Sequence, residues 1–323
     1  MESASSATAV VVVNYAAAAL VAENLRGLQA ERPDVLFVVV DSYSGAEERE
    51  RARRLAAERG WDLVTPYVNV GFGGGCDLGV ARALERGADR VLLLNPDARL
   101  AEGALALLEA EVAADPLALV APRIDRPDGS VWSVGSDLYL ADGRIRSPRA
   151  RDRFPGAERA FWLSGACLLL SRELWERVGG FRDDYFLYWE DVDLSWQVVT
   201  VGGRLVVRED AHAVHAEGGT QGTAEHDQGR QSSGEPKSDV YYFHNIRNRL
   251  VFARLNLPEE TVARWRGLRL SLRIAWEVLL QGGRRQLLRR PGLLLLAARA
   301  VREGRRFAAS PTKRGQKGEN SSR

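Results

Sequence analysis

A chain of 323 residues, 45% hydrophobic and 27% charged, can bury one large core or two modest ones, which excludes a low-complexity or fibrous protein. Its formal net charge of +2 hides a split: from Arg264 to Arg323 sixteen Lys or Arg face three acids, about +13, leaving the body near −11. No stretch reaches the roughly 18 apolar residues of a membrane span, no signal peptide opens the chain, and Cys76 and Cys167 match no metal spacing, so the expectation is a cytosolic protein with reduced thiols.

Residues 1–6 read as a disordered start. ATAVVVVN (7–14) is a continuous β-branched run, the mark of a strand buried on both faces. A helix is expected over 16–27, a strand at VLFVVVD (35–41), and a charged surface helix over 46–60 ending at glycine. WDLVTP is a short strand. GFGGGCDLG reads as a glycine-rich turn entering a helix that ends near 87, and DRVLLLNPD (89–97) as another buried strand. Helix EGALALLEAEVAAD and strand LALVAP complete a β-α-β rhythm that predicts a parallel, doubly wound sheet. Beyond 122 come short strands (SVWSVG, DLYLADGRIR), one apolar strand (FWLSGACLLL, 161–170), a short helix, and the acidic run FLYWEDVDLSW. VVREDAHAVH is strand-like. The polar stretch 216–238 is a disordered or functional loop, RNR lies on a helix beyond it, and basic helices follow to 307 before a disordered tail, 308–323.

Three strand ends carry chemistry. Asp97, in NPD after VLLL, stands where open α/β sheets bind ligands; its carboxylate suits Mg²⁺ or Mn²⁺, or the tripeptide is an Asx-capped turn. Asp41 ends another strand and either accepts hydrogen bonds from a nucleobase or ribose, or caps the helix at 46. His215 is a structural histidine or a third metal ligand. GFGGG fails the dinucleotide fingerprint, so its glycines are expected to let backbone approach a ligand.

In the acidic run, Glu190 and Asp191 fall at a helix N-terminus, where the dipole favours ionised carboxylate. Asp191 is expected to be a general base towards a sugar hydroxyl, Asp193 a helix cap, and Tyr185, Phe186, Tyr188 and Trp189 a wall on which a sugar stacks. Arg247 either clamps a phosphate or is a solvated helix face.

In order, VVVNY, VVVDS, N-x-GFGGG, LLLNPD, LSGACLLLSRE, GGFRDDYFLYWEDVDL, VH-x-x-GGT and RNR resemble family 2 glycosyltransferases of the GT-A fold, especially the bacterial rhamnosyltransferase-like branch, over about residues 8 to 255. The resemblance implies a Rossmann-like, mostly parallel sheet flanked by helices. It also implies an inverting transfer of a sugar from a nucleotide donor, with Mg²⁺ or Mn²⁺. Asp191 would be the catalytic base, supported by Glu190 and Asp193. Asp41 would contact the base, Asp97 would bind metal with Asn95 beside it, and His215 would be a ligand or diphosphate contact. Asn14, Tyr15, Gly71, Phe72, Gly73 and Arg247 complete the expected donor contacts. The chain departs from the pattern at Cys76-Asp77, where many relatives have an Asn pair, and at Gln197, where an Arg is common. It also has a single acid in NPD.

The segment 256–307 lies outside that resemblance. Its Arg alternates with Leu, Ile and Trp at near-helical spacing, as in basic amphipathic helices that lie on an anionic membrane surface; nothing reads as a nucleic-acid-binding module. The expected function is therefore transfer of a sugar, rhamnose from dTDP-rhamnose by branch analogy, to a hydroxyl of a lipid-linked or cell-envelope glycan. The place expected for it is the inner face of the cell membrane, reached peripherally from the cytoplasm. The alternatives are a catalytically silent nucleotide-sugar-binding module recruiting partners through its basic tail and, more weakly, a nucleotidyltransferase, for which no triphosphate-cradling loop is present.

Overall fold

The computed structural model describes residues 7–216 and 237–311. The expected tails at 1–6 and 312–323, and all but the ends of the 216–238 loop, lie outside the described residues. The chain divides into two compact units, Met1–Tyr139 with Ile145–Arg230, and Leu140–Arg144 with Gln231–Arg323.

The first unit opens with β1 (Thr8–Asn14), α1 (Ala18–Glu31), β2 (Leu36–Asp41), α2 (Ala46–Arg59), β3 (Asp62–Val64), α3 (Gly71–Glu85) and β4 (Arg90–Leu94). Next come β5 (Ala98–Leu100), α4 (Ala104–Ala114), β6 (Ala118–Asp125), β7 (Val131–Ser133), β8 (Ser136–Tyr139) and β9 (Arg144–Arg146). It closes with β10 (Arg159–Trp162), β11 (Cys167–Ser171), α5 (Arg172–Val178), α6 (Glu190–Thr200) and β12 (Arg204–His215). The main sheet runs β3-β2-β1-β4-β11-β6-β12-β5, with β7 on β6; β10-β8-β9 form a small second sheet. Pairing is parallel through β3, β2, β1 and β4 and between β6 and β12, while β11 and β5 run against their neighbours.

Period-two alternation sends successive side chains to opposite faces. Val10 and Val12 join Leu25, Phe37, Leu92 and Leu108 in one core, and Val11 and Val13 join Val80, Leu93, Leu168 and Leu194 in the other. Both faces are covered, as the uninterrupted apolar strands require.

Two local expectations fail for physical reasons. Helix α3 starts at Gly71, so the glycines lie inside it rather than in a preceding turn, and within this helix glycine also serves the chain's own close approach. A Cβ on Gly75 would come within 2.7 Å of Val13, and one on Gly79 within 2.3 Å of Val11. FWLSGACLLL is two strands, β10 and β11, parted at Leu163–Ala166, where the Leu163 amide bonds Ser195 Oγ at 3.1 Å instead of a ladder partner.

The second unit holds α7 (Asp239–Asn256), α8 (Glu259–Arg266), α9 (Leu268–Leu280), α10 (Arg284–Arg289) and α11 (Gly292–Ala309). Helix α7, expected on the other side of a boundary at 255, belongs here because Tyr242 and Ile246 are buried with Ile274, Val278, Leu293 and Val301. Arg249 is 1% exposed; burial pushes its guanidinium pKa down to about 9. It donates to the Asp142 carbonyl at 2.9 Å and lies 4.8 Å from the Trp265 ring, and Trp265 Nε1 donates to the Leu140 carbonyl at 2.8 Å. The short 140–144 segment is thus fastened to this unit.

The amphipathic reading of 256–307 needs revision, since much of the apolar surface of α9 and α11 is used up inside the bundle. What remains outside on α9 is Leu268, Leu272 and Trp276, each at least half exposed and four residues apart on one stripe. Among the described residues no helix is long and apolar enough to cross a membrane.

Candidate active site

Parallel pairing brings the carboxyl ends of β1, β2 and β4 to one edge of the first unit's sheet. Asn14 is in register with Asp41, and Asn14 Nδ2 donates to Asp41 Oδ1 at 3.1 Å. Arg49, one turn into α2, donates from Nε to Asp41 Oδ2 at 2.7 Å. Asp41 is therefore not the helix cap; the N-cap position is Gly45 and no side chain caps it. Tyr15 is 44% exposed beside this network, as are Tyr43 (40%) and Tyr67 (93%), two rings that no motif singles out.

After β4 the chain turns through Asn95–Pro96–Asp97, closed by the Ala98 amide on the Asn95 carbonyl at 3.0 Å. β5 then pairs with β12 so that Ala98 opposes His215. This places Asp97 Oδ1 3.0 Å from His215 Nε2, both residues 6% exposed. The Ala216 amide donates to the Asp97 carbonyl, also at 3.0 Å. The Trp132 ring meets the imidazole edge-on at 4.6 Å, and the buried His215 Nδ1 has no partner among the described residues.

Asp191 is reached from the same edge. Its Oδ2 accepts from the Gly165 amide at 3.0 Å and its Oδ1 from its neighbour Val192 at 2.9 Å. The Ala166 carbonyl in turn accepts from the Asn95 amide at 2.9 Å. Two hydrogen bonds and one peptide unit thus join Asp191 to the turn that carries Asp97. The break between β10 and β11 is what frees the Gly165 amide.

At Glu190 and Asp191 burial acts against the helix dipole. Glu190 is 6% exposed with Oε2 unpartnered. Burial, then the neighbouring Asp191 charge, push its pKa well above the usual carboxylate range. Asp191 is raised too, again by burial, against the two amides that favour its ionised form.

Asp193 is no helix cap. Its Oδ1 accepts from Arg182 Nη1 at 2.9 Å and Tyr185 Oη at 3.2 Å, and its Oδ2 from Gln197 Nε2 at 2.9 Å. Gln197 thus makes a contact at the position where relatives carry Arg. The aromatic wall is likewise thinner than expected: Tyr185 and Trp189 are buried, while Phe186 and Tyr188 reach the surface. Tyr188 and Trp189 both take left-handed backbone, at φ 66° and 75°, just before Glu190. The loop they sit in is clamped from α3, where the Phe72 amide donates to the Phe186 carbonyl at 3.1 Å. A Cβ on Gly71 would lie 2.1 Å from that oxygen, so Gly71 and Phe72 hold the acidic loop. Gly73 abuts the Phe181 ring. Asp77, at the departure from the Asn pair, accepts from the Phe181 amide at 3.0 Å.

Arg247 is placed in the second unit, where Nη1 donates to Asn248 Oδ1 at 2.6 Å and the guanidinium lies 5.7 Å from the Phe307 ring. It is not among the residues that the first unit gathers.

Among the described residues no group of three or more His, Cys, Asp or Glu side chains is set to hold a metal. Asp97 and His215 stand as a pair. One carboxylate and one imidazole suit a divalent cation that keeps waters and takes its other oxygens from a diphosphate.

The model of glycosyltransferase-like family 2 matches residues 6–234. N-acetylglucosaminyl-diphospho-decaprenol L-rhamnosyltransferase of Mycobacterium tuberculosis (strain ATCC 25618 / H37Rv) is 28% identical over 212 residues, 58% of this chain and 68% of that protein. Among solved structures, a mannosyltransferase from Pyrobaculum calidifontis in complex with GDP-Man and Mn²⁺ superposes with a TM-score of 0.53 and 19% identity, covering 94% of this chain and 84% of that one. GalNAc-T7 with UDP, GalNAc and Mn²⁺ gives a TM-score of 0.50 at 15% identity over 68% of this chain, which spans less than half, 45%, of that longer protein. These neighbours share the GT-A fold. The chain belongs to glycosyltransferase family 2, a glycosyltransferase whose first unit carries the GT-A sheet and its acidic site.

Proposed function

We propose that this protein transfers a sugar, with inversion, from a nucleotide donor to a hydroxyl of a lipid-linked glycan, and that the donor is dTDP-rhamnose. The observation that carries the reading is the link from Asp191 through Gly165 and Ala166 to Asn95 and Asp97. It supports a base at Asp191 working close to a carboxylate, Asp97, that would hold the diphosphate's cation. The donor and acceptor class are supported by the rhamnosyltransferase relative, whose printed name specifies an N-acetylglucosaminyl-diphospho-decaprenol acceptor.

Asp191 takes the proton of the acceptor hydroxyl. Its raised pKa makes it a better base than an ordinary aspartate, and the Gly165 and Val192 amides keep the carboxylate aimed. The hydroxyl oxygen then attacks the anomeric carbon as the bond to the nucleoside diphosphate breaks, so configuration inverts. Asp97 and His215 would hold Mg²⁺ or Mn²⁺, which when bound offsets the charge on the departing diphosphate. Burial and the Asp191 charge both favour the protonated form of Glu190, which lowers repulsion beside the base. Asn14, Tyr15 and the edge around Asp41 receive the nucleoside.

Peripheral association with an anionic membrane is part of this reading. It is supported by the exposed stripe Leu268, Leu272 and Trp276 with Arg269 and Arg273 beside it, in a segment rich in arginine. No nucleic acid is invoked. The test is incubation of dTDP-rhamnose, Mn²⁺ and an N-acetylglucosaminyl-diphospholipid, with the product's anomeric configuration read by NMR. A rhamnosylated lipid of inverted configuration supports the reading; retained configuration, or nucleotide-sugar binding without turnover, contradicts it.

A further inference from the structure

Asp41, which the resemblance assigns to the donor base, has its carboxylate closed off. It is 0% exposed, and its two oxygens are taken by Asn14 Nδ2 at 3.1 Å and Arg49 Nε at 2.7 Å. Arg49 goes on to bond the backbone carbonyls of Asp41 and Pro66 and lays its guanidinium 4.6 Å from the centroid of the Tyr43 ring. One carboxylate therefore fixes one arginine, and that arginine fixes one ring.

Tyr43 itself stands in left-handed backbone, at φ 36°, where an aromatic residue is a genuine outlier. Strain of this kind persists only where the surroundings enforce it. Here the Ser42 amide bonds the Asn14 carbonyl at 2.8 Å, and Ser42 Oγ bonds Asn69 Oδ1 at 3.0 Å and receives the Val70 amide at 3.2 Å. Ala16, at φ 55°, is held against the same loop by Ser44 Oγ at 3.1 Å. The outcome is an aromatic ring with a cation against it and 40% of the residue in solvent, at the strand edge that receives the nucleoside.

We propose that the Tyr43 ring is the stacking platform for the donor's nucleobase, and that Asp41 acts on the base at one remove, through Arg49, without touching it. This rests on the functional reading above and makes Asp41 a positioning residue. Every nucleobase presents a π-face, so such a platform supplies affinity and little selectivity between bases. Discrimination among thymine, uracil and guanine then falls to groups other than Asp41.

The test is calorimetric titration of the full-length protein with dTDP, UDP and GDP, each with Mn²⁺. It uses the wild type, Tyr43→Leu, Tyr43→Phe, Asp41→Asn and the Tyr43→Leu/Asp41→Asn double variant. Tyr43→Leu is expected to weaken each nucleotide that the wild type binds roughly tenfold or more, and Tyr43→Phe, which keeps the ring, to restore it. Asp41→Asn alone weakens binding, yet adds nothing once the ring is gone. Where Asp41→Asn fails to fold, Arg49→Lys replaces it, since it keeps a positive charge for Asp41 and loses the planar group that lies on the ring. Unchanged affinity in Tyr43→Leu, or a full additional loss in the double variant, overturns the inference. A wild type that binds none of the three nucleotides overturns the functional reading and this inference together, and that result is read before any variant is made.

Discussion

The Gly165 amide donates to Asp191 Oδ2 at 3.0 Å, and a Cβ added at Gly165 would stand 3.3 Å from the Asp191 Cβ and 3.3 Å from the Phe72 ring. Carboxylate, amide and ring are therefore packed without room for a methyl group. Gly165→Ala is expected to leave the fold intact and to lower kcat roughly tenfold, because small displacements of a catalytic group are costly. Steady-state kinetics beside a melting curve check this, and an unchanged kcat would mean that the contact does not aim the base.

Asp97 and His215, 3.0 Å apart, are the pair proposed to hold a cation. Asp97→Asn keeps the shape and removes the one negative charge of the pair, since a metal-binding imidazole is neutral. It is expected to lower kcat/KM by about a hundredfold or more and to raise the Mn²⁺ concentration needed for half-maximal rate. Initial rates across a Mn²⁺ series measure both quantities; the same metal dependence in both proteins would remove Asp97 from the role.

Glu190 gives a pH prediction with a definite sign. Its pKa is well above the ordinary 4.5 because burial disfavours the charged form, so the folded state holds a proton that the unfolded chain releases above about that pH. The stabilising contribution is complete below 4.5 and declines as pH rises towards the folded-state pKa. Glu190→Gln keeps the shape and has no proton to lose. The variant's melting temperature relative to wild type is expected to climb between pH 5 and pH 8; a constant difference would show that Glu190 is ionised in the fold.

Asp193 ties Arg182, Tyr185 and Gln197 together beneath the loop that delivers Glu190 and Asp191. Asp193→Ala leaves Arg182, 28% exposed in its side chain, without that ion pair. The expected loss is about 3 kcal/mol, the range for breaking a largely buried pair. Chemical denaturation measures it, and a loss below about 1 kcal/mol would place the pair among ordinary surface contacts.

The exposed stripe on α9 is testable by itself. Leu272→Glu with Trp276→Glu is expected to reduce co-sedimentation with phosphatidylglycerol vesicles while leaving the bundle folded, since both side chains are 50% exposed. Equal sedimentation of variant and wild type would remove this face from membrane binding.

The sequence made the scaffold legible wherever periodicity was unambiguous. The β-branched run at 8–14 could only be a doubly covered strand, and Gly60 stopped α2 in the left-handed conformation at φ 71°. Asp97, Asp191 and His215 could be singled out because acids and a histidine at strand or helix ends are visible in one dimension, and the structure sets Asp97 and His215 3.0 Å apart. Gly165 was hidden inside an apolar run that reads as one strand, and no local signal marks the break that frees its amide. Arg49 looked like one more charge on a surface helix; only the fold turns it under Asp41. Tyr185 and Trp189 were misplaced as a ligand wall because an aromatic residue beside an acid reads the same whether it faces solvent or core. Arg247 and α7 were drawn into the wrong unit because the packing of Tyr242 and Ile246 against α9 and α11 spans more than twenty residues of chain, beyond any local pattern.

The central claim, that Asp191 is the base, is tested most directly by Asp191→Asn in two paired measurements. One is turnover of dTDP-rhamnose with a lipid-linked acceptor; the other is affinity for dTDP with Mn²⁺. Transfer is predicted to fall by about 10²–10⁴-fold, the range for loss of a general base, with nucleotide affinity and melting temperature close to wild type. Turnover that survives the substitution while dTDP still binds would contradict the account.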